Sequence, residues 1–259
     1  MNSILCEIIA KKKDGLIGIK KSVPIGHVQE IAAQRTDYRN FRQAVSHRGT
    51  INIIAEIKKA SPSAGEFQPY FDAALLAKGY ADNGACAISV LTEEHYFHGS
   101  LAHLAIVRRA ASVPVLRKDF IVDVYQIYES AAVGADAILL IAAALEKTEL
   151  QEYCEIAATM KLDCLVEVHN EDELSRAISC TAPIVGINNR DLNSFTVDLE
   201  TTARLLPMIP ASTAVVMESG IKTKQEIERF KGLGVSAFLV GETLLRSPNP
   251  AITLRSLNS

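Results

Sequence analysis

The sequence predicts an α/β chain folded as a (β/α)8 TIM barrel with an extra N-terminal helical segment. Three observations carry this reading. From about residue 50 onward, short apolar runs alternate with amphipathic stretches of helical period, the order of repeated βα units. The apolar runs are nearly continuous, as parallel strands buried on both faces require. Several of them also end in polar side chains: Glu56 and Lys58, Lys118, Glu167, and Asn188. Charges inside apolar strands are costly unless paired or used. Strands that each end this way point to one shared mouth where those side chains converge.

Strands are expected near 52–58, 86–91, 114–118, 137–141, 163–168, 184–188, 213–217 and 236–240. Helices are expected between them, near 70–83, 100–111, 123–133, 146–160, 170–179, 198–205 and 222–232, with a short closing helix from about 242. Gly84, Gly134 and Gly234 each follow a helix and precede a strand, the chemistry of a helix C-cap. A doubly wound open sheet is disfavoured. It would want a Gly-rich turn after the first strand, where the chain reads Lys59-Ala60-Ser61-Pro62-Ser63. Residues 1–48 do not fit the repeat. Leu5, Ile8 and Ile9 have helical spacing, and Asp37 is expected to cap a helix running through Val45. This segment reads as two or three helices that either cap a barrel end or shape the substrate pocket. The expected organisation is therefore one barrel domain over residues 1–259, with 1–48 as its helical extension.

A chain of 259 residues suits a single α/β barrel. Its net charge of −3 gives no basic footprint for nucleic acid. The longest strongly apolar run, Ile138 to Leu145, is too short to span a membrane. Glu7 interrupts the first apolar stretch, so no secretory leader is expected. The five cysteines (Cys6, Cys86, Cys154, Cys164 and Cys180) are widely spaced, with no CxxC. They read as reduced thiols, mostly small apolar fillers, in a cytoplasmic protein.

The loops after the last two strands read Glu218-Ser219-Gly220 and Gly241-Glu242-Thr243. In such barrels a phosphate often sits between these loops and a short helix N-terminus. Glycine lets backbone N–H groups approach an anion closely. Either glycine alone could serve only a tight turn; the two together, in this order, favour phosphate binding.

Lys58 and Lys118 either bind an anionic substrate or donate protons. Partial desolvation beside another positive charge is expected to lower a lysine pKa towards neutrality. Glu56 and Glu167 would orient those lysines or move protons. A purely structural ion-pair network at the mouth is the bland alternative. A strand-end lysine also admits a Schiff-base reading, but that needs a lone, desolvated amine. His95 and His98 lack a recognised ligand spacing, so no metal is expected there. His27, His47, His103 and His169 read as ordinary surface or helix-start residues.

Taken together, the runs AEIKKASPS (55–63), SVLTEE (89–94), PVLRKDFIVD (114–123), LVEVH (165–169), GINNRDL (186–192), ESGI (218–221) and LVGETLLR (239–246) resemble the indole-3-glycerol phosphate synthase family of tryptophan biosynthesis. The helical extension resembles that family's as well, and the absence of a second barrel resembles its monofunctional form. The resemblance implies a carboxy-lyase. It would close the pyrrole ring of 1-(2-carboxyphenylamino)-1-deoxyribulose 5-phosphate, release CO2 and then water, and yield indole-3-glycerol phosphate. It implies no cofactor and no metal. Carried over by position, Lys118 is the general acid of ring closure. Glu167 pairs with developing positive charge and assists proton transfer in dehydration. Lys58 is a second lysine near the phosphate, Glu56 its partner, and Asn188 orients Glu167 and holds substrate hydroxyls. Ser61 and Pro62 belong to the loop after the first strand, Phe120 packs on the anthranilate ring, and Arg190 lies on the Asn188 loop. Ser219 and Gly220 contact substrate and phosphate, as do Gly241 and Glu242. Two departures stand out. Met217 occupies a position where small or polar residues are common. Glu242 replaces a common serine, so its side chain would have to turn away from the phosphate. The expected partner is a small phosphorylated substrate of a monomer, with no nucleic acid or membrane. Competing readings are another phosphate-binding barrel (a Schiff-base aldolase or sugar-phosphate isomerase) and a degenerate, non-catalytic barrel.

Overall fold

The computed structural model describes residues 4–62, 65–67, 71–192 and 194–259. The first residue of the helix expected near 70–83 and Ser63 of the first loop lie outside the described residues. Eight strands form a closed parallel barrel: β1 (Ile53–Ile57), β2 (Ala85–Leu91), β3 (Val115–Lys118), β4 (Ala137–Ile141), β5 (Asp163–Val168), β6 (Ile184–Asn188), β7 (Ala214–Glu218) and β8 (Ala237–Val240). Each pairs with its successor, and β8 closes on β1 with Ile53 opposite Phe238 and Ala55 opposite Val240. The expected strands all form, with ends within a residue or so of their predicted positions.

The alternation of side chains along each strand divides the core into two shells. On β5, Cys164, Val166 and Val168 pack outward into the layer shared with the helices, while Leu165 joins the barrel interior. By the same parity Glu167 points inward. Met217 packs in the outer layer, so this departure from the family pattern lies away from the mouth.

The helices of the repeat are α4 (Ala73–Asp82), α5 (Leu101–Ala110), α6 (Val124–Val133), α7 (Lys147–Thr159), α8 (Glu171–Ser179), α9 (Glu200–Leu205) and α10 (Lys224–Leu233). Gly134 and Gly234 end α6 and α10 in the left-handed conformation, at φ 104° and 114°. The chain closes with two helices instead of one, α11 (Glu242–Leu245) and α12 (Pro250–Asn258). Proline is admitted at the start of α12 because its missing N–H is not needed there.

The N-terminal segment forms α1 (Ile4–Ser22), α2 (Ile25–Gln34) and α3 (Phe41–Val45), and it does both things the sequence left open. Phe41 and Val45 of α3 are fully buried against the barrel interior, and the Arg42 N–H donates to Asp163 at the start of β5. This plugs the amino end of the barrel. Ile4, Leu5 and Ile8 of α1 line the cavity at the opposite end. Lys12 ties α1 to Asp119 at 2.8 Å, and Lys20 ties it to Asp123 at 2.7 Å.

The expected capping role of Asp37 is a correction. Asn40 caps α3 by accepting from the Gln43 N–H at 2.7 Å. Asp37 is drawn away by Arg108 and Arg35, which together hold its carboxyl down at about 2. The same arginines converge on Asp136, whose buried carboxylate also accepts from the backbone N–H groups of Arg39 and Val115. Asp136→Ala would leave two guanidinium groups facing a void. Urea unfolding should show a loss of about 3–5 kcal/mol, the usual result of removing one partner of a buried ion pair. A loss below about 1 kcal/mol would show that solvent compensates.

Candidate active site

The carboxyl ends of the strands open into a cavity of about 770 Å³. Every site residue named from the sequence lines it: Glu56, Lys58, Ser61, Pro62, Lys118, Phe120, Glu167, Asn188, Arg190, Ser219, Gly220, Gly241 and Glu242. At its centre the Lys118 ammonium lies 3.2 Å from Glu167 and 3.2 Å from Glu218. Lys58 pairs with Glu56 at 2.6 Å, as period-two alternation at the end of β1 predicts. The Asn188 amide donates to Glu167, and its Oδ1 accepts from the Arg190 N–H at 3.0 Å.

Glu218 is the functional residue that sequence reasoning missed. Its run was read only as a phosphate loop, yet it ends β7 as Glu56 and Glu167 adorn β1 and β5. That repetition was the available signal. Glycine at position 186 makes its seat, because a Cβ there would collide with Glu218 Oε1. Gly241 serves Glu56 in the same way. A close approach of side chain to backbone thus explains both glycines, whatever Gly241 also does for an anion.

The electrostatics reverse one expectation. Glu56, Glu167 and Glu218 surround Lys58 and Lys118, so the lysines stand beside negative charge instead of positive. Burial works to discharge Lys118, but Glu218, Glu167 and Glu56 outweigh it, and its pKa lies above the ordinary lysine value. The two carboxylates on Lys118 part company. Burial pushes Glu218 up to about 7, resisted by Lys118 and reinforced by Glu167 and Glu56. Glu167 is buried too, but Lys118 and His169 bring it below its ordinary value. Two titratable groups driven apart in this way can divide the roles of proton donor and acceptor.

One wall of the cavity is apolar. Phe97 and Phe120 stand 6.3 Å apart with rings tilted by 39°, beside Ile8 and Ile141. Buried Glu93 holds this wall by accepting the N–H groups of His95, Tyr96 and Phe97. The opposite rim holds Ser219 and Gly220, both left-handed at φ 66° and 84°. A left-handed serine is uncommon and costs energy, a type of strain concentrated at ligand clamps. Glu242 turns to Arg190 at 3.3 Å and Arg246 at 2.9 Å. Against partial burial, these two guanidinium groups hold its carboxyl below the ordinary glutamate value. Ser61 is buried and pairs through its strand with Gly65, and Lys58 lies 5.3 Å over the Phe67 ring.

Gly220→Val should raise KM roughly tenfold or more with a smaller effect on kcat, since left-handed backbone costs a side-chain-bearing residue about 1–2 kcal/mol. The added Cβ would also collide with Val197 and lie 2.8 Å from Leu199. Steady-state kinetics check this, and an unchanged KM would detach the loop from binding. The two histidines of the second loop do not assemble a metal site. His98 pairs with Glu66 at 3.3 Å, and among the described residues no group of three or more His, Cys, Asp or Glu side chains is arranged to hold a metal ion. His169 stands at a helix start, one of the two places expected for it, directly before Asn170, the N-cap of α8. Its side chain is only 11% exposed and sits between Glu167 and Glu173.

Fold and site together define a (β/α)8-barrel enzyme with a buried lysine–carboxylate cluster at the carboxyl end of the strands. Solved structures support the barrel alone. A KGPDC from Streptococcus mutans superposes with a TM-score of 0.61 at 13% identity, covering 80% of this chain and 95% of its own. A thiamine phosphate pyrophosphorylase from Pyrococcus furiosus gives 0.62 at 16%, covering 84% and 96%. The family follows from sequence. The profile of indole-3-glycerol phosphate synthase matches residues 5–257. The proteins of that name from Acidithiobacillus ferrooxidans and Alkaliphilus metalliredigens are 47% and 46% identical to this chain. They align over 99% of it, and over 99% and 98% of their own lengths. The chain belongs to the indole-3-glycerol phosphate synthase family.

Proposed function

We propose that this site converts 1-(2-carboxyphenylamino)-1-deoxyribulose 5-phosphate to indole-3-glycerol phosphate. The observation that carries this is Lys118 held between Glu167 and Glu218, with an aromatic wall on one side of the cavity and the Ser219–Gly220 turn on the other. The anthranilate ring lies against Phe120 and Phe97, and the phosphate meets the loops after β7 and β8, near Lys58. The ring carbon bearing the carboxylate attacks the sugar carbonyl, and the new alkoxide takes a proton from Lys118. The surrounding carboxylates keep Lys118 protonated, so the proton is in place when the alkoxide forms. Loss of CO2 returns its bonding electrons to the ring. The new hydroxyl takes a proton from Glu218, the carboxyl that burial raises to about 7, and leaves as water, while the adjacent methylene gives up a proton to Glu167 and completes the indole. Asn188 holds Glu167, and Glu56 holds Lys58. A Schiff base at Lys118 is disfavoured, because an ammonium gripped by two carboxylates has no free lone pair.

The chain is read as acting alone, as a monomer in the cytoplasm. The reduced thiols of Cys86, Cys154, Cys164 and Cys180 fit a reducing compartment, and among the described residues no helix is long and apolar enough to cross a membrane. The reaction is tested by incubating the protein with the carboxyphenylamino-deoxyribulose phosphate in the presence of a chelator and following product fluorescence. Rapid product formation supports the reading. A folded protein that binds the substrate without turnover overturns it in favour of the degenerate barrel.

Glu218 gives the reaction a pH signature. Below about pH 7 it is protonated, and Lys118 faces one charged carboxylate, Glu167; above it Lys118 faces two, and the mouth gains one negative charge. An anionic substrate is then repelled, so kcat/KM should fall as pH rises through 7, and Glu218→Gln should remove that fall. The linkage has the matching sign. A carboxyl raised from 4.5 to about 7 lowers stability progressively between those pH values and keeps it low above them. Urea melts of Glu218→Gln should therefore lack the wild-type loss between pH 4.5 and 7. An unaltered profile would place the ionisation elsewhere.

A further inference from the structure

His169 follows β5 directly and does not line the cavity, yet it touches the carboxylate that does. Its Nε2 lies 3.4 Å from Glu167 Oε1, and its Nδ1 lies 3.0 Å from Glu173 Oε2 on α8. Glu173 is itself fixed: its Oε2 accepts the His169 backbone N–H at 2.8 Å, and its Oε1 accepts the Asn170 amide at 2.7 Å. Nδ1 bonds to Glu173, whereas Nε2 is buried, makes no hydrogen bond and meets Glu167 through charge alone, 3.4 Å away. A carboxylate within 3.4 Å of each nitrogen attracts the imidazolium and gains nothing from the neutral ring. Glu218 adds a further negative charge nearby. Against the desolvation of a largely buried ring, these three carboxylates favour the cation.

The consequence falls on the pair that shares Lys118. Glu167 has a cation on each side, Lys118 at one oxygen and His169 at the other. Glu218 has Lys118 alone, and its Oε1 is buried without a hydrogen-bond partner. One histidine thus breaks the symmetry of two otherwise similar glutamates. We propose that His169 is a positioning residue which, as an imidazolium braced by Glu173, keeps Glu167 ionised and aimed at the cavity. Of the two carboxylates on Lys118, this makes Glu167 the proton acceptor and leaves Glu218 the proton carrier. The proposal rests on the reading of the site given above.

The test compares His169→Gln, which keeps a donor without charge, with His169→Leu. In both, the acid limb of the kcat–pH profile should move up by about one pH unit or more, because an opposite charge within 4–6 Å lowers a carboxyl pKa by 1–3 units. KM should change by less than twofold while kcat at pH 7 falls roughly tenfold, the order expected when a reacting group loses its alignment. A purely structural role would move stability but not the acid limb. The second measurement needs no variant: ring ¹⁵N shifts of the wild-type protein should show both His169 nitrogens protonated at pH 7. A neutral ring, or a His169→Gln enzyme with the wild-type acid limb, overturns the proposal. Because the ring signature is independent of turnover, it separates failure of this inference from failure of the assigned reaction, which wild-type product formation reports.

Discussion

Lys118→Ala should lower kcat by about 10²–10⁴, the usual contribution of a positioned general acid, while the barrel stays folded. The side chain bridges Glu167 and Glu218, at 3.2 Å from each. Without it the alkoxide of ring closure loses the ammonium placed to protonate it and must draw on a slower donor. The fold survives for a specific reason. Two buried carboxylates left facing each other would be costly, but Glu218 already titrates near 7 and can take up a proton. The pair then shares one proton instead of carrying two charges. Circular dichroism and urea unfolding at pH 6 should accordingly stay close to wild type, whereas product fluorescence collapses. Turnover within tenfold of wild type would remove Lys118 from the acid role.

The second large effect is expected for Glu167→Gln, with kcat again down by about 10²–10⁴ and KM little changed. Its defect should fall late in the reaction. Ring closure needs the Lys118 proton, and decarboxylation needs no base, so CO2 release should outrun indole formation in a single-turnover experiment. A secondary effect follows at the partner. Glu167 repels the ionised form of Glu218, so its loss should bring the Glu218 pKa down from about 7 and shift the fall of kcat/KM to lower pH. Equal slowing of CO2 release and indole formation would move Glu167 from dehydration to an earlier step.

Much of this was legible in the chain because it is written locally. Strand positions follow from continuous apolar runs, and helix ends follow from Gly134 and Gly234, whose freedom at positive φ is a property of the residue itself. Lys58, Lys118, Glu56 and Glu167 stood out because charge at the end of a buried strand requires a use. The closing segment was harder. Its single expected helix became two, and Asp37 lost the cap to Asn40 because arginines distant in sequence claimed its carboxylate.

The barrel and its polar mouth could be read from the chain, since periodicity, turn residues and strand-end charges each depend on a residue and its near neighbours; the carboxy-lyase chemistry came from the resemblance of seven runs to a known family. The charge states came from tertiary structure. Lys118 is raised instead of lowered, Glu218 becomes a near-neutral acid, and His169, at the start of α8, becomes a neighbour of Glu167 as well. Tertiary structure also decided that α3 plugs one end of the barrel while α1 lines the other. A pKa is set by every charge within a few ångströms, and here those charges arrive from β1, β3, β5, β7 and α8, which only closure of the barrel brings together.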